Sequence, residues 1–118
     1  MKPLKKSLNA IPLSLRDRKR YIVFELISDK KLSGKELNFS LNKLFLQLYG
    51  EIGFSKMNLS LIKFNEENGK GILRCRHSFL EEAKAGIMFL SNKANEIKLI
   101  PRIVRVTGTA RKAKELIA

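Results

Sequence analysis

Arg16, Arg18, Lys19 and Arg20 stand within five positions, interrupted only by Asp17, at the head of an apolar run, "YIVFELI" (21–27). A guanidinium is a planar fork that meets a phosphate through two hydrogen bonds. A cation mounted beside a rigid strand also loses less freedom on binding than one on a loose tail. The alternative is a solvated basic tail. A second cationic group, Arg111, Lys112 and Lys114, follows "TGT" (107–109). Gly108 lets a backbone come close, and a helix starting after it presents unpaired amides to a phosphate. Together the two groups point to a polyanion.

Between them lies "KGILRCRH" (70–77). Lys70 and Gly71 open it like the first signature of an RNA-recognition motif, which then requires aromatic residues for stacking bases. None follows, so stacking of single-stranded bases is not supported. Ile72, Arg74 and Arg76 share one strand parity, and Arg105 can join them from a later strand. Such a mixed apolar and cationic face suits either backbone phosphates or a protein.

Candidates for catalysis are poorer. Cys75 and His77 are two apart, with no other Cys or His in the chain to complete a zinc set. Two positions apart on one strand is no argument for a nucleophile and its base. Glu66–Glu67 fall in a turn and Glu81–Glu82 in the first turn of a helix, where solvation and the helix dipole account for them. We expect no catalytic residue, no metal site and no cofactor held by this chain.

The elements that must position the cations follow from length and periodicity. A chain of 118 residues holds one domain. The division expected is an irregular basic arm over 1–15 and a single domain over 16–118. The net charge of +13 is concentrated at the two ends, with +6 over residues 1–20 and +5 over 98–118. Concentration at both ends suits a polyanionic partner better than general solubility. A lone cysteine fits a reducing compartment, no apolar run approaches the ~18 residues that span a bilayer, and the first ten residues lack a secretory core. A cytoplasmic location is expected.

Residues 20–28 form a first strand, apolar on both parities and therefore central. Ser33 and Glu36 make a capping box, after which Leu37, Leu41, Leu44, Phe45, Leu48 and Ile52 recur at helical spacing, with Gly50 and Gly53 closing the helix. Phe39 and Leu46 fall on its opposite side, and Phe89 falls off the stripe of the next helix. All three are candidates for a protein interface, although isolated exposed apolar residues are common. Strand two is expected over 56–64, a hairpin at "NEENGKG" (65–71), and strand three over 71–77. A second helix is capped by Ser78 and Glu81 and carries Leu80, Ala83, Ile87, Leu90 and Ala94. A fourth strand, bent or at an edge because of Pro101, leads through Thr109 into a short basic helix. The order predicts an α+β fold of the split β-α-β type, with a four-stranded antiparallel sheet, two helices on one face and no obvious cover on the other.

Three segments carry a family resemblance. "IPLSLRDRKRYIVFE" (11–25), "LIKFNEENGKGILRCR" (61–76) and "RVTGTARKAKE" (105–115), in this order and spacing, resemble the archaeal ribonuclease P protein component 2 family, whose eukaryotic counterpart is shared with ribonuclease MRP. Ala110 departs from the larger aliphatic residue expected there, and the first ten residues fall outside the pattern. The resemblance implies an RNA-recognition-motif-like fold without stacking aromatics. It further implies a subunit of the ribonucleoprotein that removes 5′ leaders from precursor tRNA, where catalysis rests on the RNA and its Mg²⁺. The protein would brace that RNA together with the family's component 3, two copies of each in a heterotetramer containing a homodimer contact. A ribosomal or other structural RNA-binding protein, or a ferredoxin-like metabolic regulator, is compatible with the same element order, because fold does not fix function.

Overall fold

A computed structural model describes residues 18–93 and 99–117. The expected arm over 1–15, Arg16 and Ala94 lie outside the described residues. Four strands, β1 (Lys19–Ser28), β2 (Ser60–Asn65), β3 (Lys70–Arg76) and β4 (Leu99–Thr107), form one sheet in the order β2-β3-β1-β4. The pairings β1–β3, β1–β4 and β2–β3 are all antiparallel. β1 is central, as its two-sided apolarity requires: Ile22, Phe24 and Leu26 point to one face and Val23 to the other, all buried. β4 is an edge strand, and Pro101 sits opposite Leu26 where no outer neighbour needs its missing N–H.

Helix α1 (Gly34–Met57) and helix α2 (Leu80–Met88), followed by the short α3 (Leu90–Lys93), cover the first face. Leu37, Leu41, Leu44, Phe45, Ala83, Ile87 and Leu90 pack there against Ile22, Phe24, Leu73 and Cys75. Ser33 caps α1 as expected, its Oγ accepting from the Glu36 N–H at 3.1 Å. Gly86 has a packing role: a Cβ there would fall inside the Phe45 ring, so its bare backbone lets α2 settle onto α1.

Several expectations are corrected. Gly50 and Gly53 do not close α1. Gly50 (φ 73°, ψ 174°) breaks its regularity, and the helix then resumes to a left-handed terminus at Asn58. The break resets the helical phase, so Met57 is buried whereas Ile52 is 72% exposed; Leu48, before the break, is exposed at the margin of the buried stripe. Strand two accordingly starts at Ser60, with Lys56 and Met57 still helical. A 3₁₀ turn, His77–Phe79, precedes α2, so its cap position is Phe79, without a side-chain capping bond. The second helix is interrupted at Phe89.

The far face of the sheet is covered, contrary to expectation. Helix α4 (Ala110–Ile117) folds back across it, burying Ala113 and Ile117 against Val23 and Ile72. Asn68 in the β2–β3 turn donates to the Ile117 carbonyl at 3.3 Å and pins the far end of the helix. Among the described residues, no helix is long and apolar enough to cross a membrane.

Candidate nucleic-acid interface

Antiparallel pairing brings the start of β1 beside the ends of β3 and β4. Lys19 lies opposite Arg76, Tyr21 opposite both Arg74 and Thr107, and Val23 opposite Arg105. The His77 N–H donates to the Arg18 carbonyl and extends this pairing to the sheet's end. Arg18, Lys19, Arg20, Arg74, Arg76 and Arg105 are therefore gathered at one end of the sheet, although the chain separates them widely. The first turn of α4 carries Arg111 and Lys112 next to that end. Lys114 is exposed further along α4.

Two open depressions lie there side by side. The first is lined by Arg18, Lys19, Arg20 and Tyr21 with Val106–Thr109. The second is lined by Arg105, Lys112, Glu115 and Leu116, and shares Val106, Thr107 and Gly108 with the first. The connection between them is held by its own hydroxyls. Thr107 Oγ1 donates to the Thr109 carbonyl at 2.8 Å, and Thr109 Oγ1 accepts from the Lys112 N–H at 3.3 Å, which makes Thr109 the expected helix cap.

The cations differ in freedom. Arg18, Lys19, Arg76, Arg105, Arg111, Lys112 and Lys114 are exposed, whereas Arg20 and Arg74 are half-buried. Arg20 Nη1 donates to the adjacent Lys19 carbonyl at 3.1 Å, an exposed contact that restrains its fork only modestly. Arg74 Nε is enclosed and makes no hydrogen bond among the described residues. Arg111 approaches Glu115 at 4.0 Å, an exposed pair that restrains it weakly.

The opposite end of the sheet differs in kind. Glu25 pairs with Arg102 at 2.8 Å, and Lys31 with Glu67 at 3.2 Å. Glu66 accepts from the Gly34 N–H at 3.1 Å. Charge there is mixed and internally matched.

Sequence reasoning placed Arg74, Arg76 and Arg105 on one face with Ile72. The register agrees, but Ile72 is buried beneath α4, so the apolar part of that face is occupied within the chain. Reading the two terminal groups separately missed that they share one surface. The signal was present in the antiparallel order itself, which puts the head of β1 against the tail of β4.

The expected protein-facing side chains are exposed: Phe39 68%, Leu46 41% and Phe89 45%. Cys75 is buried and His77 exposed. Among the described residues no three His, Cys, Asp or Glu side chains stand together as metal ligands.

The model of the Rpp14/Pop5 family matches residues 20–118. The chain is similar to Ribonuclease P protein component 2 of Pyrococcus horikoshii, with 35% identity over 109 residues covering 92% of this chain and 90% of that protein. To the protein of the same name from Archaeoglobus fulgidus it is 33% identical over 107 residues, 91% of this chain and 94% of that one. The fold resembles that of a chain in the cryo-EM structure of yeast ribonuclease MRP. The TM-score is 0.63 at 11% identity, covering 86% of this chain and 87% of that chain.

Proposed function

The chain belongs to the Rpp14/Pop5 family, and from that premise we propose that it is a non-catalytic subunit of ribonuclease P, working in the cytoplasm to brace the RNA that cleaves 5′ leaders from precursor tRNA. The observation that carries this reading is the convergence of both terminal cation groups on one end of a sheet whose broad faces are covered by helices. RNA contacts then come from Arg18, Lys19, Arg20, Arg74, Arg76, Arg105, Arg111, Lys112 and Lys114, with Arg16 preceding them. They act on phosphates and contribute affinity with little sequence readout. Residues 16–118 act as the RNA-binding domain and 1–15 as its arm.

Phe39, Leu46 and Phe89 supply surface for component 3 and for a second copy of this chain, in a heterotetramer. Mg²⁺ belongs to the RNA, whose phosphates and bases assemble the catalytic centre. The chain's own part is to hold phosphates in a fixed register and offset the repulsion of a compact RNA core.

Reconstitution tests this. Precursor tRNA cleavage is measured with the RNA alone, with this chain, and with this chain plus component 3. The chain alone should cleave nothing, and its addition with component 3 should lower the Mg²⁺ the RNA requires. Cleavage by RNA-free protein that is lost on mutating one of its carboxylates would refute the non-catalytic role. An RNA whose cleavage is indifferent to the chain would refute the subunit role.

A further inference from the structure

The fold does not require a glycine at position 108. Its φ lies outside the left-handed region. Among the described residues, a Cβ built there would meet only Arg20 Nη1 within 4 Å, at 3.8 Å, an ordinary van der Waals separation. Alanine fits such a backbone and, by restricting the unfolded chain, commonly stabilises. Yet Gly108 lines both basic depressions, on the ridge of residues 106–108 that they share, and a side chain there would stand beside the Arg20 guanidinium.

We propose that this ridge is a saddle over which a single RNA strand lays its sugar–phosphate backbone, neighbouring phosphates descending on either side. The inference rests on the RNA-binding reading above. Arg18 and Arg20 receive one phosphate; Arg105 and Lys112 receive the next. A backbone rather than a base is assigned to the saddle because the side chains lining it are chiefly cationic, and Tyr21, the aromatic among them, packs part of its ring into the small cluster beneath α4. Arg20 donates to the adjacent Lys19 carbonyl at 3.1 Å, which lowers part of the cost of ordering its fork. A methyl at 108 would sit in van der Waals contact with that guanidinium and take up the space where the strand's backbone is to lie. Glu115 lines the second depression and opposes a phosphate there, with Arg111 4.0 Å away offsetting part of its charge. The first depression is therefore the stronger of the two.

The test uses the full chain and the transcribed RNA subunit of ribonuclease P, read by equilibrium binding and by phosphate-ethylation interference. Gly108→Ala should keep or raise Tm while weakening binding roughly tenfold, about the value of one charge-assisted hydrogen bond. Interference at a pair of neighbouring phosphates, present with the natural chain, should disappear with this variant. Wild-type binding by Gly108→Ala, while Arg18→Ala and Arg105→Ala bind weakly, overturns the saddle and leaves the RNA-binding reading standing. Absence of RNA affinity in the natural chain overturns both. Loss of component 3 association alone assigns the ridge to a protein and overturns the proposal. Unfolding of Gly108→Ala shows that the glycine serves the fold and overturns it equally.

Discussion

Gly86 and Tyr49 tie the two core helices together, and each makes a measurable prediction. Because a Cβ at Gly86 would enter the Phe45 ring, Gly86→Ala should destabilise by about 1–3 kcal/mol through overpacking, despite alanine's better helix propensity. Urea denaturation with an unchanged m-value checks this, and a gain in stability would contradict it. Tyr49 donates its hydroxyl to the Glu82 carbonyl at 2.6 Å. Burial, and secondarily the Glu82 carboxylate, raise its pKa above the ordinary 10.0. The folded state therefore retains this proton to higher pH than the unfolded chain. The contribution is complete below pH 10.0 and is lost as pH rises through the folded value. Tyr49→Phe should lower stability near neutrality and flatten the alkaline loss, which melting curves across the alkaline range will show. Neither residue stood out in the sequence. A helical glycine ordinarily signals only a small cost, and what makes Gly86 matter is a ring brought to it by tertiary packing.

On the scale of elements, α1 shows where periodicity is informative and where it fails. Its capping serine and the stripe Leu37, Leu41, Leu44 and Phe45 were legible because they depend on local hydrogen bonding and a constant angle per residue. Ile52 was misplaced because one dihedral at Gly50 resets that angle, and a glycine's φ is not written in its neighbours. α4 was half legible. Ala113 and Ile117 lie one turn apart beside Leu116, an apolar stripe outweighed by the charges around it. The outward side of α1 supplies the next prediction. Phe39→Ala and Leu46→Ala should each change stability by no more than about 0.5 kcal/mol, whereas Leu41→Ala should cost about 2–5 kcal/mol. Sedimentation of the mixture with component 3 should show the exposed pair weakening assembly. Normal assembly of the double variant would leave those side chains without a partner.

Across the whole molecule, charge is polarised along the sheet. At one end the cations outnumber their acidic neighbours; at the other, Glu25, Glu66 and Glu67 are engaged in ion pairs and hydrogen bonds. RNA affinity should fall steeply with salt, each neutralised phosphate adding roughly −0.7 to −0.9 to the log–log slope. Arg18→Ala with Arg105→Ala should flatten that slope by about one to two such increments. Lys30→Ala with Lys31→Ala, at the far end, should leave it unchanged, and equal effects at both ends would mean that net charge alone governs binding. The end-loading of charge was legible from the first reading, but its assembly into one surface depends on sheet order. That assembly has a kinetic side. Arg18–Arg20 and Arg105–Lys112 become neighbours only when β4 docks along β1, a pairing that closes the greater part of the chain into a loop and pushes like charges together. A chain that has not completed this step carries two separate weak basic patches in place of a groove. Anion recognition is thus a test of finished folding. A polyanion bridging both patches draws the last strand home by mass action, so an RNA bound there would in turn help to complete the protein.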